Sequence, residues 1–301
     1  MITRREFVAG TAAMTAASNL ARANEAPAPS IVLFSKPLQS MPPKRLAEAA
    51  KQIGFTGIDL TVRPGGHVLP ERVAEDLPKA YDAIHTAGLD VPMITTELLS
   101  VRDPAAEPTL ATAARLKIPL AKPGYYKYRF SDVRAELAEV AADFRPLAKL
   151  AQSKGVKMGF HNHTGNVGGP VWDIGEILTG LDPAWAGYYF DPAHAVAEGG
   201  GAGWKVALGR VAPRIFMTSI KDFRWERSRG GWREFWVPLG EGMVDWKYYF
   251  AALRRAGFRG TFSLHIEYNP GGATPSAKEE NLLAAAQRDL TFLTKQMADP
   301  A

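Results

Sequence analysis

Four short apolar runs in the second half of the chain end in reactive side chains: Phe160-His161-Asn162-His163, Phe190-Asp191-Pro192-Ala193-His194, Ile220-Lys221-Asp222 and Leu264-His265-Ile266-Glu267. The first three recur about every thirty residues, the length of one strand–helix unit. A run that is apolar along its length and polar only at its carboxyl end fits a strand of a parallel barrel. Such strands are buried on both faces, and the site is assembled where they end. The pattern restricts the fold to alternating strands and helices and places the chemistry at one end of it.

The rest of the chain continues the alternation. Strands are predicted at 31–35, 57–62, 91–95, 118–121, 157–160, 187–190, 215–220 and 261–266, and helices at 44–53, 71–87, 105–116, 131–153, 171–181, 204–211, 246–256 and 278–297. Gly54, Gly88 and Gly155 stop three of the helices, Ser131 reads as an N-cap, and Pro146 as a kink. Eight strand–helix pairs without a break in composition predict one (β/α)8 TIM barrel over residues 31–301. A doubly wound open sheet is the alternative, weakened because no G-x-G-x-x-G stands at a strand-to-helix turn. From Phe223 to Pro238 aromatic and charged residues alternate on both sides of Gly230-Gly231. This segment reads as a β-hairpin inserted after strand seven, too aromatic to be a disordered loop.

The chain has no cysteine, which excludes disulfides and thiolate metal sites. Its formal charge of +5 suits anionic ligands but is far from the signature of a nucleic-acid binder. At the amino terminus, Thr3-Arg4-Arg5-Glu6-Phe7-Val8 resembles a twin-arginine export motif. A mildly apolar run from Val8 to Leu20 and the small-x-small triplet Ala21-Arg22-Ala23 follow. Residues 1–23 are therefore expected to be a signal peptide and 24–30 a linker, giving a periplasmic protein that starts near Asn24. An amphipathic first helix is the competing reading. Cleavage removes three arginines and one glutamate, lowering the formal charge from +5 to +3. The apolar run is too short to be a stable membrane anchor.

His161 and His163 lie two apart and share a strand face. They read equally well as ligands of a divalent ion or as a hydrogen-bonded strand-end pair. Asp191 leaves a buried strand at the rim, as metal ligand, general base or turn cap, and His194 is placed to orient substrate or shuttle a proton. Lys221 leaves a buried strand too and needs a carboxylate, a substrate oxygen or a phosphate as partner. Glu267, with His265 one layer deeper, is a candidate ligand or base. Lys36, Arg63, His67 and Glu97 lie just past the early strand ends as secondary candidates, the first three for substrate binding.

These residues, with Gly155-Val156, Pro238-Leu239-Gly240-Glu241-Gly242, Asp245-Trp246 and Ser263 to Tyr268, resemble the xylose-isomerase-like TIM barrels. That group of sugar isomerases, epimerases and dehydratases implies a carbohydrate substrate and a divalent metal (Mn, Zn or Mg). Its metal is held by Glu, Asp, His and Glu at the ends of strands five to eight. Position by position these fall on His161, Asp191, Ser219 and Glu267, so two of the four match. The altered set leaves two expectations open. Either His163 or His161 completes a metal site with Asp191 and Glu267, or the barrel works without metal and Lys221 supplies the positive charge.

The expected activity is abstraction of a proton beside the carbonyl of a keto sugar, leading to isomerisation, epimerisation or elimination. Glu267 or a histidine (His161 or His194) would be the base and Lys221 or a metal the electrophile. Trp225, Trp232 and Trp236 of the hairpin would stack on sugar rings. The alternatives are a non-catalytic periplasmic sugar-binding barrel and an abasic-site endonuclease-like enzyme. The partner expected is a small carbohydrate, not nucleic acid, and a homo-oligomer is left open.

Overall fold

A computed structural model describes residues 29–298. The expected signal peptide and most of the linker lie outside the described residues. Eight parallel strands close into a barrel: β1 (Ile31–Phe34), β2 (Gly57–Val62), β3 (Asp90–Thr96), β4 (Leu120–Lys122), β5 (Lys157–His161), β6 (Ala186–Phe190), β7 (Ile215–Ile220) and, after two strands outside the barrel, β10 (Thr261–Leu264). Each strand pairs with its sequence neighbour, and β10 closes on β1 through Ile31 beside Phe262. The helices between them are α1 (Pro43–Ile53), α2 (Val73–Thr86), α3 (Ala106–Arg115), α4 (Val133–Ser153), α5 (Trp172–Ile177), α6 (Pro192–Val211), α7 (Trp246–Arg255) and α8 (Pro275–Ala298). The single-barrel expectation holds, and the open sheet is excluded by the closure.

The strands are buried on both faces, as their apolar runs require. One face packs on the helices in a continuous core. The other faces the barrel axis, where Met93, Leu120, Tyr189 and Met217 form a small inner plug. Gly159 on β5 makes room for that plug: a Cβ there would stand 2.3 Å from Met217 Cε.

Several boundaries differ from the sequence reading. The long helix α4 is capped by Asp132, which accepts from the N–H groups of Arg134 and Ala135, and it runs through Pro146. Ser131 instead bonds Glu136 in the first turn. Helix α6 begins at Pro192 rather than near Trp204, and it kinks at Gly200, where φ is 58°. Asp191 is its N-cap, so Asp191 and His194 belong to a strand-to-helix turn. The glycine run that hides this helix in the sequence is the place where it bends.

The expected hairpin is present as β8 (Asp222–Ser228) and β9 (Gly231–Val237), antiparallel and starting directly after β7. Its stem is tied down by the buried Asp222. That carboxylate accepts from the N–H groups of Phe223 (2.9 Å) and Gly240 (3.0 Å) and from Trp246 Nε1 (2.9 Å). Gly242 approaches so closely that a Cβ would lie 2.0 Å from Asp222 Oδ1. The Pro238-to-Gly242 segment thus wraps a carboxylate that fixes the hairpin to the barrel.

Gly159→Ala should destabilise the protein by about 1–3 kcal/mol through overpacking of the barrel axis. Adding Met217→Ala should recover part of that loss in urea unfolding. Additive losses would show that the close approach to Met217 is not the cause.

Candidate active site

At the carboxyl ends of β5, β6 and β7 the strands bring His161, Asp191, Ser219 and Lys221 together. Asp191 is fully buried. Its Oδ2 accepts from the Ser219 hydroxyl at 2.5 Å, Lys221 Nζ at 3.2 Å and His161 Nε2 at 3.3 Å. Its Oδ1 accepts from the His194 N–H at 3.0 Å as the helix cap. Burial alone would raise the pKa of this carboxyl, but Lys221 and the imidazoles beside it hold it well below the usual carboxylate range. Asn162 fixes the turn by bonding both the N–H (2.7 Å) and the carbonyl (2.9 Å) of Asp191.

The chemistry of the donors sets the tautomers. An ammonium only donates, so Lys221 Nζ, 2.9 Å from His194 Nε2, makes that nitrogen the acceptor. His194 Nδ1 then donates to Thr164 Oγ1 at 2.7 Å. His161 Nε2 donates to Asp191, leaving Nδ1 to accept from the Tyr125 hydroxyl at 2.9 Å. Burial, and Lys221 for His194 and His163, keep these imidazoles neutral; His163 is held down at about 4. The Trp236 ring lies 4.5 Å from Lys221 Nζ and meets His194 edge to face, so the hairpin caps this side of the mouth.

Glu267 stands at the end of the β10 segment, 3.6 Å from Lys36 Nζ and 3.7 Å from His265 Nδ1. Its burial would raise its pKa, but His265, Lys221 and Lys36 outweigh that and keep it ionised. Below it a polar network fills the barrel axis. Asp59 Oδ2 accepts from Ser263 (2.7 Å) and Tyr189 (3.3 Å), Asp59 Oδ1 from Thr95 (2.7 Å), and Tyr189 OH meets His265 Nε2 at 2.9 Å. Glu267 also lines a cavity of about 750 Å³ between the hairpin and α8, with Glu234, Trp236, Tyr268, Asn269 and Arg288 among its walls.

The expected metal set is not assembled. Among the described residues no three His, Cys, Asp or Glu side chains are grouped to hold a metal ion. Lys221 and Ser219 already take Asp191 Oδ2, and an ammonium beside that oxygen repels a cation. His163 turns to the Thr164 carbonyl (2.9 Å) and Asn166 (3.2 Å), while Glu267 faces Lys36 and His265. The residues present do not fit the metal site that the resemblance implies, and no step is routed through one.

Three of the substrate-binding candidates, His67, Trp225 and Trp232, stand away from the cluster at Asp191. Both ring nitrogens of His67 are occupied, by Thr61 Oγ1 (3.2 Å) and the Met41 carbonyl (3.1 Å), so it ties a loop. Trp232 is 69% exposed at the far end of the hairpin, and Trp225 packs on Phe223; Trp236 is the tryptophan that reaches the site. Lys36 and Arg63 are at the rim, Arg63 paired with Glu97 at 3.3 Å.

Sequence reasoning missed Tyr125, Asp59, Glu234 and Lys122. Lys122 closes β4, is buried, and lies 3.4 Å from the centre of the Tyr125 ring. Its Nζ has no hydrogen-bond partner. Burial and the nearby Arg63 push its pKa well down. The alternation of Asp59 and Thr61 with apolar neighbours along β2 was the available signal for the axial network.

A closed parallel barrel with its reactive side chains gathered at the strand carboxyl ends has the architecture of a TIM-barrel enzyme. The chain belongs to the xylose isomerase-like TIM barrel family, which matches residues 47–296. It is 25% identical over 219 residues to an inosose dehydratase of Bacillus anthracis, covering 68% of this chain and 66% of that protein, slightly under two thirds of the relative's length. Among solved structures it resembles a 3-keto-D-glucoside 4-epimerase from E. coli (TM-score 0.67, 14% identity, 89% of this chain and 100% of that one). It also resembles a probable 3-DHS dehydratase from Bacillus anthracis (TM-score 0.67, 16% identity, 88% and 98%).

The buried imidazoles set an acid limit to stability. His161, His163 and His194 have pKa values lowered from 6.5 in the folded state, so below that pH the unfolded chain binds more protons. Stability is therefore complete above 6.5 and falls as the pH drops. Each imidazole that stays neutral costs about 1.4 kcal/mol per pH unit below its solution value. Urea midpoints should decline from pH 7.5 to pH 5. A flat profile over that range would mean that the histidines are already charged in the fold.

Proposed function

We propose that this protein is an exported enzyme that removes a proton from the carbon beside the carbonyl of a keto sugar or keto glycoside. The observation that carries the reading is the pairing of an ionised Glu267 on the cavity wall with a Lys221 ammonium fixed by Asp191. Glu267 is the base. As it takes the proton, the C–H electron pair moves toward the carbonyl oxygen, and the Lys221 ammonium stabilises the charge growing there. Ser219 and His161 hold Asp191, and Asp191 holds Lys221, so the electrophile is in place before the substrate arrives. Trp236 lies on Lys221 and lines the cavity; its displacement admits the substrate oxygen to the ammonium.

The names of the relatives support the substrate class. An inosose and a 3-keto-D-glucoside each carry a ketone whose neighbouring C–H bonds are acidified. Isomerisation, epimerisation and dehydration share that first step. A carbohydrate of this kind has hydroxyl groups for Asn269, Arg288 and Tyr268 and an apolar ring face for Trp236.

The test is exchange of the substrate C–H for deuterium in D2O, followed by NMR, with methyl 3-keto-β-D-glucopyranoside and 2-keto-myo-inositol as probes. The protein should accelerate exchange beside the ketone. Glu267→Gln and Lys221→Met should each abolish it, and a chelator should leave it unchanged because the donor set favours an ammonium over a metal. Exchange of both ketones at the uncatalysed rate would sink the reading. Export is tested separately: protein recovered from the periplasm should begin near Asn24, whereas an intact Met1 on cytoplasmic protein would overturn it.

A further inference from the structure

Glu267 as base and Lys221 as electrophile leave the second proton transfer without a donor. Inverting the carbon that loses its proton, or expelling a hydroxyl beside it, needs an acid as well as a base. His161 cannot supply the proton, since its Nε2 is spent on Asp191 and its Nδ1 on Tyr125.

The hairpin carries a carboxylate in the required region. Along the ladder Phe223 faces Trp236 and Trp225 faces Glu234, so Glu234 and Trp236, two apart on β9, share one face of the hairpin. Trp236 lies on Lys221 and His194, which directs that face toward the barrel mouth. Glu234 and Glu267 line the same cavity of about 750 Å³. Glu234 Oε1 is buried and has no hydrogen-bond partner. A buried carboxyl oxygen without a hydrogen-bond partner, on a residue that lines a cavity, is a candidate contact for a ligand's hydroxyl or reacting atom.

We propose that Glu234 is the general acid of the site, a carboxyl carried by the hairpin that partners Glu267 in the proton transfer. The assignment rests on the keto-sugar reading and extends it. Glu267 removes the proton from the carbon beside the carbonyl. Glu234 then delivers a proton, either to the opposite face of that carbon, which inverts it, or to a departing β-hydroxyl, whose C–O bond breaks as the carbonyl re-forms and water leaves. In both cases one proton enters at Glu267 and one departs from Glu234, and solvent restores the pair.

The electrostatics agree with this division of roles. Burial raises the pKa of Glu234 and so favours its protonated form; the Asp191 and Glu198 carboxylates act in the same sense, while Thr164 and the Lys221 ammonium oppose it. Glu267, with Lys36, His265 and Lys221 around it, is driven the other way. Two carboxyls whose surroundings separate their proton affinities are an acid and a base.

Glu234→Gln keeps the size and the hairpin position of the side chain but donates no acid proton. In the deuterium assay it should retain wash-in at the carbon beside the ketone, because Glu267 is intact, while losing conversion to epimer or dehydrated product. Glu267→Gln should lose both. Full conversion by Glu234→Gln overturns the inference while leaving the base intact, and loss of wash-in by that variant does so too. A measurement without substrate separates the inference from the reading beneath it. In protein labelled with 13C at the glutamate carboxyls, one signal absent from Glu234→Gln should titrate above the ordinary glutamate range. If the signal lost in that variant titrates at or below that range, Glu234 is not the acid, whatever the exchange assay shows.

Discussion

The Asp191–Lys221 pair is the interaction on which the site depends. A carboxylate at the end of a buried strand cannot be left bare, because desolvating an unpaired charge costs several kcal/mol. Here it is met by an ammonium, a serine hydroxyl, an imidazole and a backbone N–H at once. Each contact fixes another element. The backbone N–H sets the start of α6, the imidazole ties β5 to β6, and Ser219 and Lys221 bind β7. Removing the carboxylate would strand the ammonium as well, so the pair is a packing requirement of the same strand ends that carry the proposed electrophile. It also gives to Lys221 the oxygen that a cation at this position would need.

The hairpin makes the barrel particular. Asp222 fixes its stem through four backbone N–H groups and an indole, all within 3.3 Å. A rigid stem lets the strands above it carry functional side chains to defined places. Trp236 lands on Lys221, and Glu234 lands beside the cavity. The far end is different in character, with Trp232 largely exposed. A lid anchored at one side of the mouth and free at its tip can admit a ligand by small rotations of the stem side chains, without release of the whole loop.

Much of this was legible in the sequence, and the gaps have physical reasons. Apolar runs with polar ends located His161, Asp191, Lys221 and Glu267, because a strand buried on both faces carries its charged groups most readily where it stops. The same logic failed for Lys122. A lysine followed by Pro123-Gly124 reads as loop, and the three-residue β4 is too short to show a pattern. The Trp232 assignment failed because alternation shows which residues share a hairpin face and not how far along it the barrel extends. The metal set failed because ligand types were matched one at a time, whereas the outcome turns on the distance between Asp191 and Lys221. The start of α6 was readable in principle, since Asp before Pro is an N-cap followed by a first-turn proline, but the glycine run disguised the helix behind it.

The polar interior of the mouth follows from the function proposed for it and is hard to account for by stability. Below it the axis is filled by the apolar plug, as packing favours. One layer up, Asp59 takes three hydroxyl donors, and Lys122 Nζ has none. An orphaned buried donor costs about 1–3 kcal/mol, and methionine would fill the same space without that cost. Lys122 closes a barrel strand, its side chain lies against Tyr125, and Tyr125 bonds the imidazole that steadies Asp191. Burial and the nearby Arg63 lower the proton affinity of that amine, which stands at the end of a barrel strand against the Tyr125 ring. The barrel thus retains, at the one end where strands are allowed to be polar, groups that a purely structural core would have discarded.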